Sequence, residues 1–226
     1  MNTYTVEGFF SKKFEVESTN ILLNDPSFFS LDLVEDYMNF LMNIDLKDYL
    51  QYMIQHPIQQ EITTKDITQL SNIDDCTTNM CYIMASCGNK GLTLTEIATA
   101  LHADNNYKDN TIALTKYGEN QAKTAQQLGL VTFYKDLWYL TAVGRTFPVL
   151  TKDIQDKFLA VNLLRDPFYS RVISSMITKD TNIRDYMSIL SESTQKRRIS
   201  SCNKVLSFFK NQCNIEDVKL YNLVSK

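Results

Sequence analysis

Three groups of side chains in this chain have the types and spacing to do chemistry. The first is Lys116, Asn120, Lys123 and Gln127, at i, i+4, i+7 and i+11, with Thr124 beside them and Lys135 a little further on. On a helix that spacing lines one face. Asn and Gln can bond bidentately to adenine N6 and N7, and Lys can reach guanine or phosphate. The second group is Thr194, Lys196, Arg197, Arg198, Ser201 and Lys204. Cations gathered at the start of a helix oppose its dipole, an arrangement that makes sense where a phosphate sits. The third group is acidic: Asp45-Leu46-Lys47 and Asp217-Val218-Lys219, with Asp32 as a further carboxylate.

A magnesium nuclease wants an Asp followed by an Asp/Glu-x-Lys triplet at a strand edge. No Glu-x-Lys occurs here, and Asp45 falls between helix-patterned segments. His56 and His102 are far apart, and the five cysteines (Cys76, Cys81, Cys87, Cys202, Cys213) form no CxxC pair. No zinc site, phosphate-cradling glycine loop or Cys–His pair is legible. The expectation is of reduced, mostly buried thiols, no metal or cofactor unless a partner nuclease brings Mg²⁺, and no catalytic site in the chain itself.

The elements that must position the first group are readable in order. Thr77–Gly88 reads as a helix closed by Gly88, and 91–93 as a short extended link. Leu94–Leu101 reads as a helix with Thr93 or Thr95 as its cap and Glu96 in the first turn. After a turn at 102–106, a helix begins within 109–119 and ends at Gly129, with Ala122, Ala125 and Leu128 on its inner face. Gly118 interrupts the stripe, which leaves two places for Lys116, the helix face or the approach loop. Leu130–Tyr134 and Leu137–Leu140 make a hairpin with Lys135 at its tip, and Thr141 caps a helix toward Phe147. Helix, helix, hairpin is the order a winged helix-turn-helix uses to present one helix to a DNA groove.

The second group belongs to a module over 168–226, in which 181–213 reads as helix, tight turn and helix, with Leu190–Ser193 as the turn and Thr194 as the cap. Ile199, Cys202, Leu206, Phe209 and Cys213 line its inner face, Phe208 projects from it, and Arg197, Ser201 and Lys204 lie opposite. Upstream, Leu31–Ile44 is an amphipathic helix followed by an apolar patch at Tyr49, Leu50, Met53 and Ile54. The predicted organisation is an acidic helical region (1–76), a first winged-helix module (77–150), a connector (151–167) and a second winged-helix-like module (168–226). The fold class is mainly α, with two winged helix-turn-helix modules carrying short β-hairpin wings.

Composition agrees with that class. Apolar residues make up 44% of the 226, with only 6 Gly and 4 Pro, which argues against disorder and against an all-β sandwich. No run of 18 apolar residues and no signal-like start occur, so a cytoplasmic protein without a membrane span is expected. The net charge of −3 is unevenly spread: residues 1–76 carry 4 cationic against 13 acidic side chains, and residues 195–226 carry 7 against 2. Binding follows the local field, so the acidic third should face something other than phosphate.

The order STxxRRxxSxxxxLxFF resembles the C-terminal helix-turn-helix in the DNA-recognition region of many type II restriction endonucleases, where Thr194, Arg197 and Arg198 match a Thr-x-x-Arg-Arg signature. Residues 116–147, GENQAKTAQQLGLV followed by YLTAVGRTF, are similar to the winged helix that precedes it there. The resemblance covers roughly 77–226 and implies tandem winged helices on a short duplex site. The expected function is therefore sequence-specific double-stranded DNA binding, as the recognition part or subunit of a restriction-type system. A nuclease or methyltransferase chain, or a second copy through the N-terminal region, would be its partner. A winged-helix transcriptional regulator, a nuclease with an Asp-x-Lys centre and a protein-only adaptor remain the alternatives.

Overall fold

The computed structural model describes residues 31–212 apart from 57, 59, 68–71, 89, 104–105, 108–109 and 179–181. The chain is mainly helical, with one small two-stranded antiparallel sheet among the described residues. It divides into two compact units: residues 31–43 with 72–152, and residues 44–67 with 153–212. The acidic N-terminal region is thus shared between the units. No helix is long and apolar enough to cross a membrane among the described residues.

The first unit contains α1 (Leu31–Asn43), α3 (Ile73–Cys76), α4 (Thr78–Ser86), α5 (Leu94–Ala100), α6 (Thr111–Gln127), β1 (Val131–Tyr134), β2 (Leu137–Leu140) and α7 (Ala142–Thr146). Each boundary has a local cause. Thr93 and Glu96 form a full capping box at α5, the Thr hydroxyl accepting from Glu96 N–H and the carboxylate accepting from Thr93 N–H. Those bonds hold the Glu96 carboxyl below its ordinary range. Asn110 caps α6 by accepting from Ala113 N–H. At its other end Gly129 (φ 78°) donates to Gln126 O at 2.9 Å and Leu130 to Ala125 O at 2.8 Å, a Schellman closure that needs a left-handed residue.

The strand that follows is therefore aimed by Gly129. β1 pairs with β2 in the register Val131↔Leu140, Thr132↔Tyr139, Phe133↔Trp138 and Tyr134↔Leu137. Leu92 exchanges both backbone bonds with Trp138, at 2.9 Å each, so the link before α5 is a third short extended segment beside β2. Thr141 caps α7 through Gly144 N–H and donates back to Gly129 O at 2.8 Å, tying the hairpin's exit to the end of α6. Met80, Met84, Ile97, Leu130, Val131 and Phe147 form the core, each at most 1% exposed.

The second unit contains α2 (Leu46–Gln55), α8 (Lys152–Arg165), α9 (Pro167–Thr178), a 3₁₀ turn (Ile183–Met187) and α10 (Glu192–Gln212). The stretch 151–167, expected to be a connector, is instead the centre of this unit. Phe158, Leu159, Ala160, Val161, Leu163 and Leu164 of α8 are all buried, and a helix apolar on all sides lacks the one-face pattern that marks a surface helix in sequence. Asp166 caps α9 by accepting from Phe168 and Tyr169 N–H. Burial, with Asp66 nearby, pushes its carboxyl up to about 7 against the lowering effect of those two amides. Arg171 on α9 donates to the carbonyls of Ile58 and Gln60, fastening the loop after α2.

The expected second wing has no counterpart among the described residues, where this unit has helices, turns and loops but no strand. The helix preceding the tight turn is α9, with the 3₁₀ turn between, and α10 begins at Glu192, so Thr194 sits inside its first turn and is not its cap. Residues 213–226, including Cys213, Asp217 and Lys219, lie outside the described residues.

Candidate nucleic-acid interface

On α6 the expected stripe forms, with changes at its edges. Lys116, Lys123 and Gln127 are exposed and Asn120 is half-buried. Lys116 lies within a continuous helix from Thr111, not on an approach loop. Gly118 does not break α6, because it is the point where the helix crosses α5: a Cβ there would stand 2.0 Å from Leu94 O. Thr124, expected to face outward, is only 6% exposed, and its hydroxyl donates to Asn120 O at 2.9 Å within the helix. At about 100° per residue it falls roughly 60° beyond Gln127, past the edge of the exposed arc. Mid-helix Thr bonds back to the i−4 carbonyl in this way, so Thr124 has no hydroxyl to offer a base.

Three features of this face went unread in the sequence. Glu119 stands between the two lysines, one carboxylate oxygen taking Lys116 at 2.5 Å and the other taking Lys123. Both contacts hold its carboxyl below the ordinary range. The i+3 and i+4 spacings of Lys116, Glu119 and Lys123 were available as a signal. Ile112, in the first turn, is 84% exposed on the same side. Phe133 and Tyr134 on β1 are exposed as well, which the alternation of a four-residue strand does not reveal.

The hairpin tip is a two-residue turn, Lys135-Asp136, with φ of 46° and 64°. Left-handed values at both positions are those of a type I′ turn, which matches strand twist and ordinarily selects Asn-Gly. Lys135 is exposed at the tip, with its ammonium 5.0 Å from the centre of the Tyr134 ring. Packing of Phe133 on Trp138, ring centres 5.1 Å apart, stiffens the hairpin one pair below the turn-closing residues.

In the second unit, α10 carries Lys196, Arg197 and Lys204 exposed on one side. Ile199, Cys202, Val205, Leu206 and Phe209 are buried on the other, as the spacing predicts for all but Val205. Ser201, expected to face outward, is 4% exposed. Arg198 is half-buried, because at about 100° per residue it falls within the arc of Cys202 and Val205. Burial and the adjacent Arg197 charge lower its pKa, and it lies close to Cys202 and Tyr169. Thr194 is half-buried and accepts from Ser191 Oγ at 2.9 Å and Arg197 Nη2 at 3.3 Å. The solvent-facing set is therefore Lys196, Arg197 and Lys204, with Arg198 half-buried at the border of the apolar face.

The acidic alternative takes a different form. Asp45 caps α2, accepting from Lys47 N–H at 2.7 Å and Asp48 N–H at 3.1 Å, and lies between two helices instead of on a strand edge. The Asp32 side chain lies outside what is described. Among the described residues no three His, Cys, Asp or Glu side chains gather as a metal site would. Cys76, Cys81 and Cys202 are buried with thiols pushed up by desolvation, Cys202 to about 12, while Cys87 is exposed.

Comparison with protein-family models, with curated proteins and with solved structures gives no match to this chain.

Proposed function

We propose that this chain binds double-stranded DNA in a sequence-specific manner, as the recognition part or subunit of a restriction-type defence system whose nuclease or methyltransferase lies on another chain. The observation that carries the reading is the layout of the first unit. Helix α4, the extended Leu92, helices α5 and α6, and the β1–β2 hairpin follow one another, with Leu92 paired to Trp138. That is the order and the strand pairing that a winged helix-turn-helix requires, with α6 as the groove helix and Lys135 on the wing. Asn120, Lys123 and Gln127 have the chemistry to read bases, while Lys196, Arg197 and Lys204 of α10 have the chemistry to hold phosphates.

The test is a mobility-shift titration over salt, using duplexes selected from a random pool with Mg²⁺ present so that cleavage is also seen. An Arg197→Ala/Lys204→Ala double variant should lose affinity uniformly across sequences. Its log–log salt slope should shrink by about 2, one per phosphate contact removed. Unchanged affinity and slope would reject α10 as the phosphate clamp. Absence of binding by the unaltered chain at low salt would reject DNA binding altogether.

A further inference from the structure

The two exposed lysines of α6 share a single counter-ion, Glu119, which lies between them along the axis at one edge of the exposed face. Lys116 and Lys123 keep 62% and 59% of their side-chain surface in solvent, whereas Glu119 between them keeps 23%. One carboxylate thus spans seven residues of helix and leaves the pair of cations with a single net positive charge. Exposed ion pairs of this kind add little to folding stability, and α6 is already held by the Asn110 cap, the Schellman closure and its packing on α5. Stability is therefore a weak reason for a carboxylate at this position. Its effect on anything that approaches the face is large by comparison. A phosphate must displace it from a lysine and then remain close to its negative charge.

We propose that Glu119 is a specificity-determining residue of the α6 face. It restrains Lys116 and Lys123 in a fixed fan, opposes their capture by phosphates of arbitrary sequence, and accepts a hydrogen bond from the exocyclic amine of cytosine at a matching site. The inference rests on α6 being the groove-entering helix. On a non-matching duplex the carboxylate gains no donor, so its repulsion of phosphate is uncompensated. On a matching site the cytosine amine replaces the lysines as its partner, and they turn to guanine or phosphate.

Glu119→Gln tests this in the full-length chain. It keeps the shape and removes the charge, and circular dichroism checks that the helices are retained. Affinity for a random-sequence duplex should rise about three- to tenfold. The salt slope should steepen by about one, and the ratio of selected-site to random-site affinity should fall. Glu61→Gln removes an equal charge from an exposed loop of the other unit and should change none of these. If the two variants behave alike, or if Glu119→Gln binds random duplex no better than the unaltered chain, the role given to Glu119 is overturned while DNA binding stands. If the unaltered chain binds no duplex at all, both readings fail together.

Discussion

Replacing Gly118 by Ala sets two effects of opposite sign against each other. In an exposed helix the change should stabilise by about 0.8–1 kcal/mol, because Ala is the better helix former. At this crossing, however, the new Cβ would stand 2.0 Å from the backbone oxygen of Leu94 and 3.3 Å from Ala98 Cβ. A carbonyl in the first turn of α5 cannot rotate away as a flexible side chain could, so α5 and α6 must separate by about 1 Å to restore van der Waals contact. A gap of that size forfeits about a quarter to a half of the dispersion energy of each contact along the seam. Overpacking costs about 1–3 kcal/mol in general, and the rigid acceptor places this case at the upper end. The expected net is about 2 kcal/mol of destabilisation. Trp138 is the single tryptophan of the chain, is 5% exposed and lies in the same unit. Urea unfolding followed by its fluorescence therefore reports on this packing, and the midpoint should fall by roughly 1 M. A midpoint that rises, with propensity prevailing, would show that α5 and α6 do not approach this closely.

Two further outcomes follow from backbone and charge. Asp136→Gly relieves a left-handed residue at the hairpin tip (φ 64°) and should stabilise the first unit by about 1 kcal/mol. A loss of stability in the same fluorescence assay would show that the turn is not of the primed type. Asp166→Asn keeps the cap of α9, since Asn caps as well as Asp, but removes the titration. With the folded-state value pushed up to about 7 from 3.8, the native state binds the proton more tightly than the unfolded chain. The contribution of Asp166 is thus greatest in acid and is lost as pH rises toward 7. Asp166→Asn should therefore be more stable than the unaltered chain at pH 8, by at least about 1 kcal/mol, with the gain shrinking toward pH 5. A gain independent of pH, or a loss at pH 8, would refute the shift.

Most of the first unit was legible because its signals are local. The Thr93–Glu96 cap, the Gly129 stop, the Thr141 cap and the hairpin at Lys135-Asp136 each depend on residues within a few positions of one another. The Lys116, Lys123 and Gln127 stripe obeys the same rule, since three exposed positions on one helix face follow from period alone. The misplaced side chains on the two helix faces share one source. Period locates the centre of a face, but the width of the buried arc depends on how many neighbours surround the helix. Thr124 and Ser201 fell just inside that arc, and Arg198 fell within it.

The second unit was less legible for a related reason. Its central helix, α8, is buried on all sides and shows no amphipathic period. Its partner α2 comes from a segment about a hundred residues earlier, with Tyr49 of α2 donating to Val161 O on α8 at 3.5 Å, and no local pattern announces a pairing at that distance. The sequence by itself determined the capping box that opens α5, the glycine stop of α6, the hairpin turn and the outward placing of Lys123, Gln127, Arg197 and Lys204, because caps, glycines and period act over a few residues. Only the tertiary structure decided that Gly118 is a crossing point and not a break, and that residues 44–67 join 153–212. It alone also decided that Arg198 is half-buried and that one carboxylate pairs with both lysines of α6. Each of these depends on what stands opposite a side chain across a packed interface or in a chosen rotamer, and a one-dimensional pattern carries no record of that.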